Sequence, residues 1–197
     1  MKNKKWIALI FMVIAALLLL LLPDSPKAQY YHNQGNIFGT YYNIRYQATE
    51  DLHDAIQQRL QDFDHSLSMF NPNSVITHIN RNDSITTDPL FEAMYAEAHA
   101  ISLLSNGAFD ITVRPLVNAW GFGNNSQHTA SPNVDSIMAF VGYNKIRLID
   151  HHLVKTDERI TLDASAIAKG YACDVVANLL RENGCENLLV DIGGEVV

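Results

Sequence analysis

The sequence is short of cysteine, short of basic charge and short of a complete glycine fingerprint, and each shortage removes a class of function. Cys173 and Cys185 are its two cysteines. They are predicted within and just past one helix, where a helical path separates them by more than a disulfide can span. The reading is two independent, half-buried thiols, and no spacing resembles a zinc site. With 14 Lys and Arg against 21 Asp and Glu, the chain carries a formal charge of −7. It therefore lacks the basic surface that a phosphate backbone requires, and nucleic acid is not an expected partner. Gly121-Phe122-Gly123-Asn124-Asn125-Ser126 begins like a dinucleotide fingerprint but has no third glycine, and it follows a predicted short helix rather than a strand. That excludes a Rossmann site, and the stretch reads as a loop. The eight histidines do not suggest a metal. His151 and His152 are adjacent and on a strand would face opposite sides, and the others are scattered singly. Ser68, Ser74 and Ser105 have no nucleophile-elbow context, so a serine hydrolase is not supported.

What is present is globular in proportion, 48% hydrophobic and 18% charged. Met1–Leu22 reads as a targeting segment, with Lys2, Lys4 and Lys5 ahead of the apolar run Trp6–Leu22, which Pro23 closes. The run sits at the lower limit for spanning a bilayer, so a cleaved signal peptide and a retained signal anchor both follow. Positive flanks stay inside, which places the body of the chain on the extracytoplasmic (periplasmic) side of the cytoplasmic (inner) membrane. Residues 23–36 are polar and are expected to be a linker. Residues 37–197 are expected to form one domain.

Within that domain, Ile37–Tyr46 alternates as a strand does, with an irregularity at Gly39. Thr49 is placed as the cap of a helix through about Ser66, because Leu52, Ala55, Ile56, Leu60, Phe63 and Leu67 recur at helical spacing. Phe70-Asn71-Pro72-Asn73-Ser74 is a turn cluster, and VITHIN begins another short helix or turn. Asp88-Pro89 caps and opens a helix that Asn106-Gly107 closes. PLVNAW is a short apolar helix, and Ser131-Pro132 starts a further one ending at Gly142. KIRLI and the run from Leu153 to Asp163 are predicted strands. Elements of both kinds alternate irregularly, so the fold class is α+β (mixed α/β).

The chain is organised around Thr161–Val197. This stretch reads as a strand ending at Asp163, an Ala-rich helix carrying Lys169 and Gly170 with Ser165 as its cap, an apolar strand and a Gly193-Gly194 turn. A helix N-terminus with small residues around it suits a phosphate or dinucleotide. Asp110, in GAFDIT, and Asp163, in TLDAS, sit at element junctions, where an acid either binds a ligand hydroxyl or a magnesium ion or caps the next element. Lys169, one turn into the helix, works against the dipole, and this favours a ligand role over a solvated lysine.

FGTYYNI, SLSMFNPNSVITHIN, GAFDITVRPLVNAWGFG, VGYNKIRL, LDASAIAKGYACDVVANLL and NLLVDIGGE, in that order, resemble the FAD:protein FMN transferases, the ApbE-type flavin transferases. The resemblance covers nearly everything from Ile37 onward. It implies an ApbE/T-fold-like domain and a Mg2+-dependent transfer of FMN from FAD to a Thr or Ser hydroxyl of a target protein, with release of AMP. The implied targets are flavoprotein subunits of membrane redox complexes. Two alternatives stay open: a Mg2+-dependent FAD pyrophosphatase, and a non-catalytic flavin-binding remnant whose strand at Val190–Val197 lies at an exposed edge.

Carried over residue by residue, the resemblance makes Phe38, Phe70, Ala108, Phe109, Asp110, Asp163 and Lys169 FAD-contacting positions, with Phe70 packing on the isoalloxazine. Ala166 matches the residue whose backbone carbonyl holds the magnesium. Phe38 replaces the family's usual methionine, Phe70 an often-seen tyrosine, and Val75 a common acid. The family continues past the DIGGE strand into a second half that supplies an aspartate and a threonine to the metal, with an HxxxPxTG-like block. The resemblance is therefore to the N-terminal portion, and the catalytic residues are expected in the absent C-terminal half.

Overall fold

The computed structural model describes residues 27–122 and 132–197, together with Met12. Met1–Leu22, read as a signal or anchor, lies outside the described residues apart from Met12, as does the loop from Gly123 onward. Among the described residues no helix is long and apolar enough to cross a membrane.

The frame is a four-stranded antiparallel sheet in the order β1-β2-β5-β6, with a separate two-stranded hairpin β3-β4. β1 (Gln29–Ile37) and β2 (Thr40–Ala48) form a hairpin closed by Phe38 and Gly39. Both turn residues have positive φ, 53° and 72°, the backbone of the two-residue turn that matches strand twist. Gly39 is the irregularity expected from the sequence. The expected linker over 23–36 is corrected, because from Gln29 the chain is strand. QYYHNQGNI shows no apolar alternation because β1 is an edge strand whose single fully buried side chain is Asn33. The register sets Gly35 opposite Tyr42, whose ring lies where a Cβ at position 35 would fall, 2.7 Å away.

β2 buries Tyr42, Ile44, Tyr46 and Ala48 on one face, as its alternation dictates. β5 (Leu188–Ile192) pairs with β2 on one side and β6 (Glu195–Val196) on the other, so of the stretch Val190–Val197 expected at an edge, β5 is interior and the exposed two-residue β6 is the edge strand. Gly193 and Gly194 close that hairpin at φ 59° and 92°. Gly193 has no room for a side chain, since its Cβ would fall 2.8 Å from Thr40 Cγ2.

Two helices cover the buried face. α1 (His53–Leu67) presents Ile56, Leu60, Phe63 and Leu67 to the core, while Ala55, predicted with them, is exposed. Its N-cap is Leu52 rather than Thr49; Asp51 Oδ1 accepts from the His53 N–H, so the acid turns the chain into the helix. α6 (Ser165–Glu182) packs on β5 and α1 and buries Ala172, Cys173, Val176 and Leu180. Cys173 and Cys185 are free and fully buried rather than half-buried.

α2 (Val75–Asn80) is capped by Ser74, and α3 (Pro89–Leu104) by Asp88, with proline in its first turn as the sequence predicts. α4 (Arg114–Ala119) follows a short 3₁₀ turn, Ile111–Val113. α5 is shorter than expected, Val134–Met138, with Asn133 as its cap; Ser131, where the sequence began it, lies outside the described residues. β3 (Ile146–Ile149) and β4 (His152–Lys155) follow. The strand predicted over Leu153–Asp163 stops at Lys155. Ile160, Leu162 and Ala164 alternate into the core as strand residues do, but residues 156–164 have no strand beside them. The Leu162 peptide bonds instead to one side chain: Asn80 Oδ1 accepts its N–H at 2.6 Å and Asn80 Nδ2 donates to its carbonyl at 2.9 Å.

Candidate functional site

Two clefts meet at the N-terminus of α6. The smaller, of about 310 Å³, lies between the β1-β2 turn, the end of α1 and the first turns of α6. Phe38, Phe63 and Phe70 line it, together with Lys169 and Ser165. Phe38 is held at the hairpin tip in the left-handed region, which costs a non-glycine residue about 1–2 kcal/mol. Its ring packs 5.2 Å from Phe63, which in turn packs 5.5 Å from Tyr171 on α6. Phe70 is 67% exposed, an aromatic face with little of its area covered by the protein.

The larger cleft, of about 780 Å³, is lined by Ala108, Phe109, Asp110, Tyr143, Asp163 and Ala166 among others. Asp110 organises one wall. Its Oδ1 accepts from the N–H and the hydroxyl of Thr112, at 2.8 and 2.7 Å. Its Oδ2 accepts from the Tyr143 N–H at 2.6 Å. Thr112 Oγ1 accepts from the Gly142 N–H at 2.7 Å, so one Asp-Thr pair fastens the Gly142-Tyr143 loop across the cleft. Asp110 is thus a cap, and it also lines the cavity.

Asp163 joins the walls. Its N–H donates to the Ile111 carbonyl at 2.7 Å, and its Oδ1 accepts from the Ser165 N–H at 2.8 Å. The cap role predicted for Ser165 therefore belongs to Asp163; Ser165 is itself the first helical residue, and Ala164, at the N-cap, has no side-chain bond to give. Ile167 and Ala168 N–H groups both reach the Ala164 carbonyl. With the Ser165 amide taken by Asp163 and the Ile167 amide by the Ala164 carbonyl, this helix start offers fewer free donors than the open end the sequence suggested. Lys169 leans across the smaller cleft to the β5-β6 turn, 3.3 Å from the Gly193 carbonyl and 3.3 Å from Glu195 Oε1.

All eight sequence-predicted site residues line these two clefts: Phe38, Phe70 and Lys169 the smaller, Ala108, Phe109, Asp110, Asp163 and Ala166 the larger. Ser165 lines both. Sequence reasoning missed Thr112 and Tyr143, which fix the Asp110 wall, and Asn80, which pins the peptide before Asp163. It also missed Arg114, whose guanidinium is half-buried between Met69 and Asp163. Desolvation pushes the Arg114 pKa down, and the charge of Asp163 pushes it back up. The Asp-x-Thr spacing at 110–112 was the legible signal for the first of these.

Among the described residues no group of three His, Cys, Asp or Glu side chains could hold a metal. Asp163 and Ala166 line the same cleft, and a carboxylate with one carbonyl would give too few oxygens for a cation that takes six. These residues do not make a magnesium site by themselves.

The fold is a mixed α/β domain with two clefts that meet at the start of one helix. The chain belongs to the ApbE family, whose model matches residues 38–197. It is 32% identical to a FAD:protein FMN transferase of Vibrio cholerae over 94% of this chain and 59% of that protein. It is also 32% identical to one of Haemophilus influenzae, over 82% of this chain and 52% of that protein. The solved flavin transferase ApbE from Vibrio cholerae superposes with a TM-score of 0.79 at 31% identity, covering 86% of this chain and 59% of that one. The apo flavinyl transferase ApbE of Pseudomonas stutzeri gives 0.78 at 27%, covering 88% and 62%. The chain thus spans 52% to 62% of the length of these relatives.

Proposed function

We propose that this chain binds FAD along the two clefts and serves the transfer of its FMN half to a Thr or Ser hydroxyl of an acceptor protein. The isoalloxazine lies in the smaller cleft, on Phe70 and Phe38, and the AMP half in the larger, beside Ala108, Phe109, Asp110 and Asp163. The pyrophosphate then crosses the N-terminus of α6. What supports the reading is the shared lining residue: Ser165, at the positive end of an 18-residue helix, is on the wall of both clefts. Membership of the ApbE family and relatives named FAD:protein FMN transferase support flavin transfer as the reaction.

In that reaction the acceptor hydroxyl oxygen bonds to the FMN phosphorus, the phosphorus–oxygen bond of the pyrophosphate breaks, and AMP leaves with the bridging oxygen. The hydroxyl proton passes to solvent. Phosphoryl chemistry of this kind depends on position and charge neutralisation more than on a protein nucleophile. A bound magnesium ion would supply that neutralisation, and the Ala166 carbonyl is the position of this chain that would contact it. Its other oxygens must come from the nucleotide, water or groups beyond those described. The acceptors we propose are flavoprotein subunits of membrane redox complexes, met on the periplasmic side of the cytoplasmic membrane to which Met1–Leu22 directs the chain.

The test is incubation with FAD, magnesium and an acceptor subunit, followed by denaturing electrophoresis under ultraviolet light. A fluorescent acceptor band is expected. Free FMN without a labelled acceptor would instead indicate the pyrophosphatase reaction, and intact FAD with no labelled acceptor would overturn the assignment of activity to this chain.

A further inference from the structure

A third cleft, of about 340 Å³, opens on the far side of Phe70 and lies outside the proposed FAD path. Met69 and Phe70 form part of its lining and of the flavin cleft's as well, so the two spaces share a wall. No carboxylate lines this third cleft, although the chain as a whole is strongly acidic. Two guanidinium groups do, those of Arg81 and Arg114.

Three other polar side chains of its wall, Asn71, Asn80 and Thr77, are committed to the fold, Thr77 by accepting from the Ser74 hydroxyl. Asn80 holds the Leu162 peptide with both of its polar atoms. Asn71 donates to Asp64 at 2.6 Å and accepts from the Asn73 N–H at 2.9 Å. The arginines are not so committed. Arg81 donates Nη1 to the Pro72 carbonyl at 3.0 Å, and Arg114 reaches Met69 Sδ at 3.5 Å. Neither makes an ion pair within 4.0 Å among the described residues. A guanidinium has five donors in a planar fork suited to a carboxylate. Half-buried Arg114 meets a weak sulfur acceptor with one of them.

We infer that Arg81 and Arg114 form a recognition subsite for a carboxylate side chain of the acceptor protein, seated across Phe70 from the flavin. The inference rests on the proposed flavin transfer, and it gives that reaction a specificity determinant. The volume exceeds a single small anion and admits a side chain with its backbone. The shared Phe70 wall sets that side chain beside the flavin cleft, where the acceptor hydroxyl must come. In a chain of charge −7, this local positive pair is what would draw an acidic segment and orient it.

The test uses the full chain and two labelled peptides, one carrying a threonine flanked by Asp and Glu, the other its Asn and Gln twin. Fluorescence anisotropy reads peptide binding, with FAD bound and without it, and flavin fluorescence reads FAD binding separately. The acidic peptide is expected to bind about tenfold or more tightly than its twin, and Arg114→Gln and Arg81→Gln each to lower that preference. Arg114→Lys, which keeps the charge but not the fork, should restore part of it. Thermal melting identifies any variant that fails to fold, and the exposed Arg81→Gln stands as the second variant. Equal binding of the two peptides by the unaltered chain would overturn the inference. So would a preference that survives both substitutions, or a loss of FAD affinity in the arginine variants matching the loss of peptide. Failure of FAD itself to bind would count against the flavin-transfer reading, whereas the peptide comparison is scored on its own.

Discussion

Replacing Asp110 with alanine separates its two roles, because the cap it makes exists without any ligand. The substitution removes three accepted hydrogen bonds, from the Thr112 N–H, the Thr112 hydroxyl and the Tyr143 N–H. Thr112 is fully buried, so its amide has no water to turn to. At about 1 kcal/mol for each bond, with the desolvation left behind, Asp110→Ala should cost about 2–4 kcal/mol in the FAD-free protein. For a domain of this size the melting temperature should fall by roughly 5–15 °C. Asp110→Asn keeps one acceptor oxygen for Thr112 but sets an amide donor against the Tyr143 N–H, so its cost should be about half as large. Urea denaturation of the three proteins without FAD is the assay. If FAD-free Asp110→Ala stays within about 0.5 kcal/mol of the unaltered chain, the loop-fastening role is wrong and Asp110 serves a ligand alone.

Three further outcomes follow from the same geometry. Asn80→Ala leaves both groups of the buried Leu162 peptide unsatisfied and should cost about 2–4 kcal/mol, checked by urea denaturation; Asn80→Asp, which keeps only the acceptor, should not restore it. Phe70→Ala should leave stability within about 0.5 kcal/mol, because the ring is largely exposed, yet weaken FAD about tenfold in a fluorescence titration. Burial pushes the Cys173 thiol up to about 11 from an ordinary value of 9.0. A raised native value means that its stabilising contribution is complete below about 9 and is lost as pH climbs through 11. The urea midpoint should therefore fall across that window, and Cys173→Ala should flatten part of the fall. Tyr46, also raised by burial, accounts for some of the remainder.

The legible parts of the chain were those whose signal is local. Leu52, Ile56, Leu60, Phe63 and Leu67 announce the buried face of α1 through spacing alone, and Asp88-Pro89 announces the start of α3. The Gly193-Gly194 turn was readable because two glycines permit positive φ at both positions. β1 was hidden because an edge strand need not alternate, and its nine residues bury only Asn33 completely. Residues 156–164 misled in the opposite way. They alternate like a strand, yet the bonds of the Leu162 peptide go to Asn80, distant in sequence and close only after folding. The cap of α6 was assigned to Ser165 because serine is a favoured cap, whereas Asp163, two residues earlier, provides the acceptor. The site residues were legible through resemblance, and their division into two clefts was not, since it depends on where the β1-β2 turn and the Gly142-Tyr143 loop come to rest. Arg114 gave no signal, because nothing local distinguishes a half-buried guanidinium from a solvated one.

The central claim is that the two clefts meeting at Ser165 receive the two halves of one FAD molecule. Amide hydrogen exchange with riboflavin, AMP and FAD in turn tests it most directly. Riboflavin should protect the amides around Phe38–Thr40 and Phe70, AMP those of Ala108–Asp110 and Tyr143, and FAD both sets together with Ala166. Protection by FAD of one set alone, or of neither, would contradict the account.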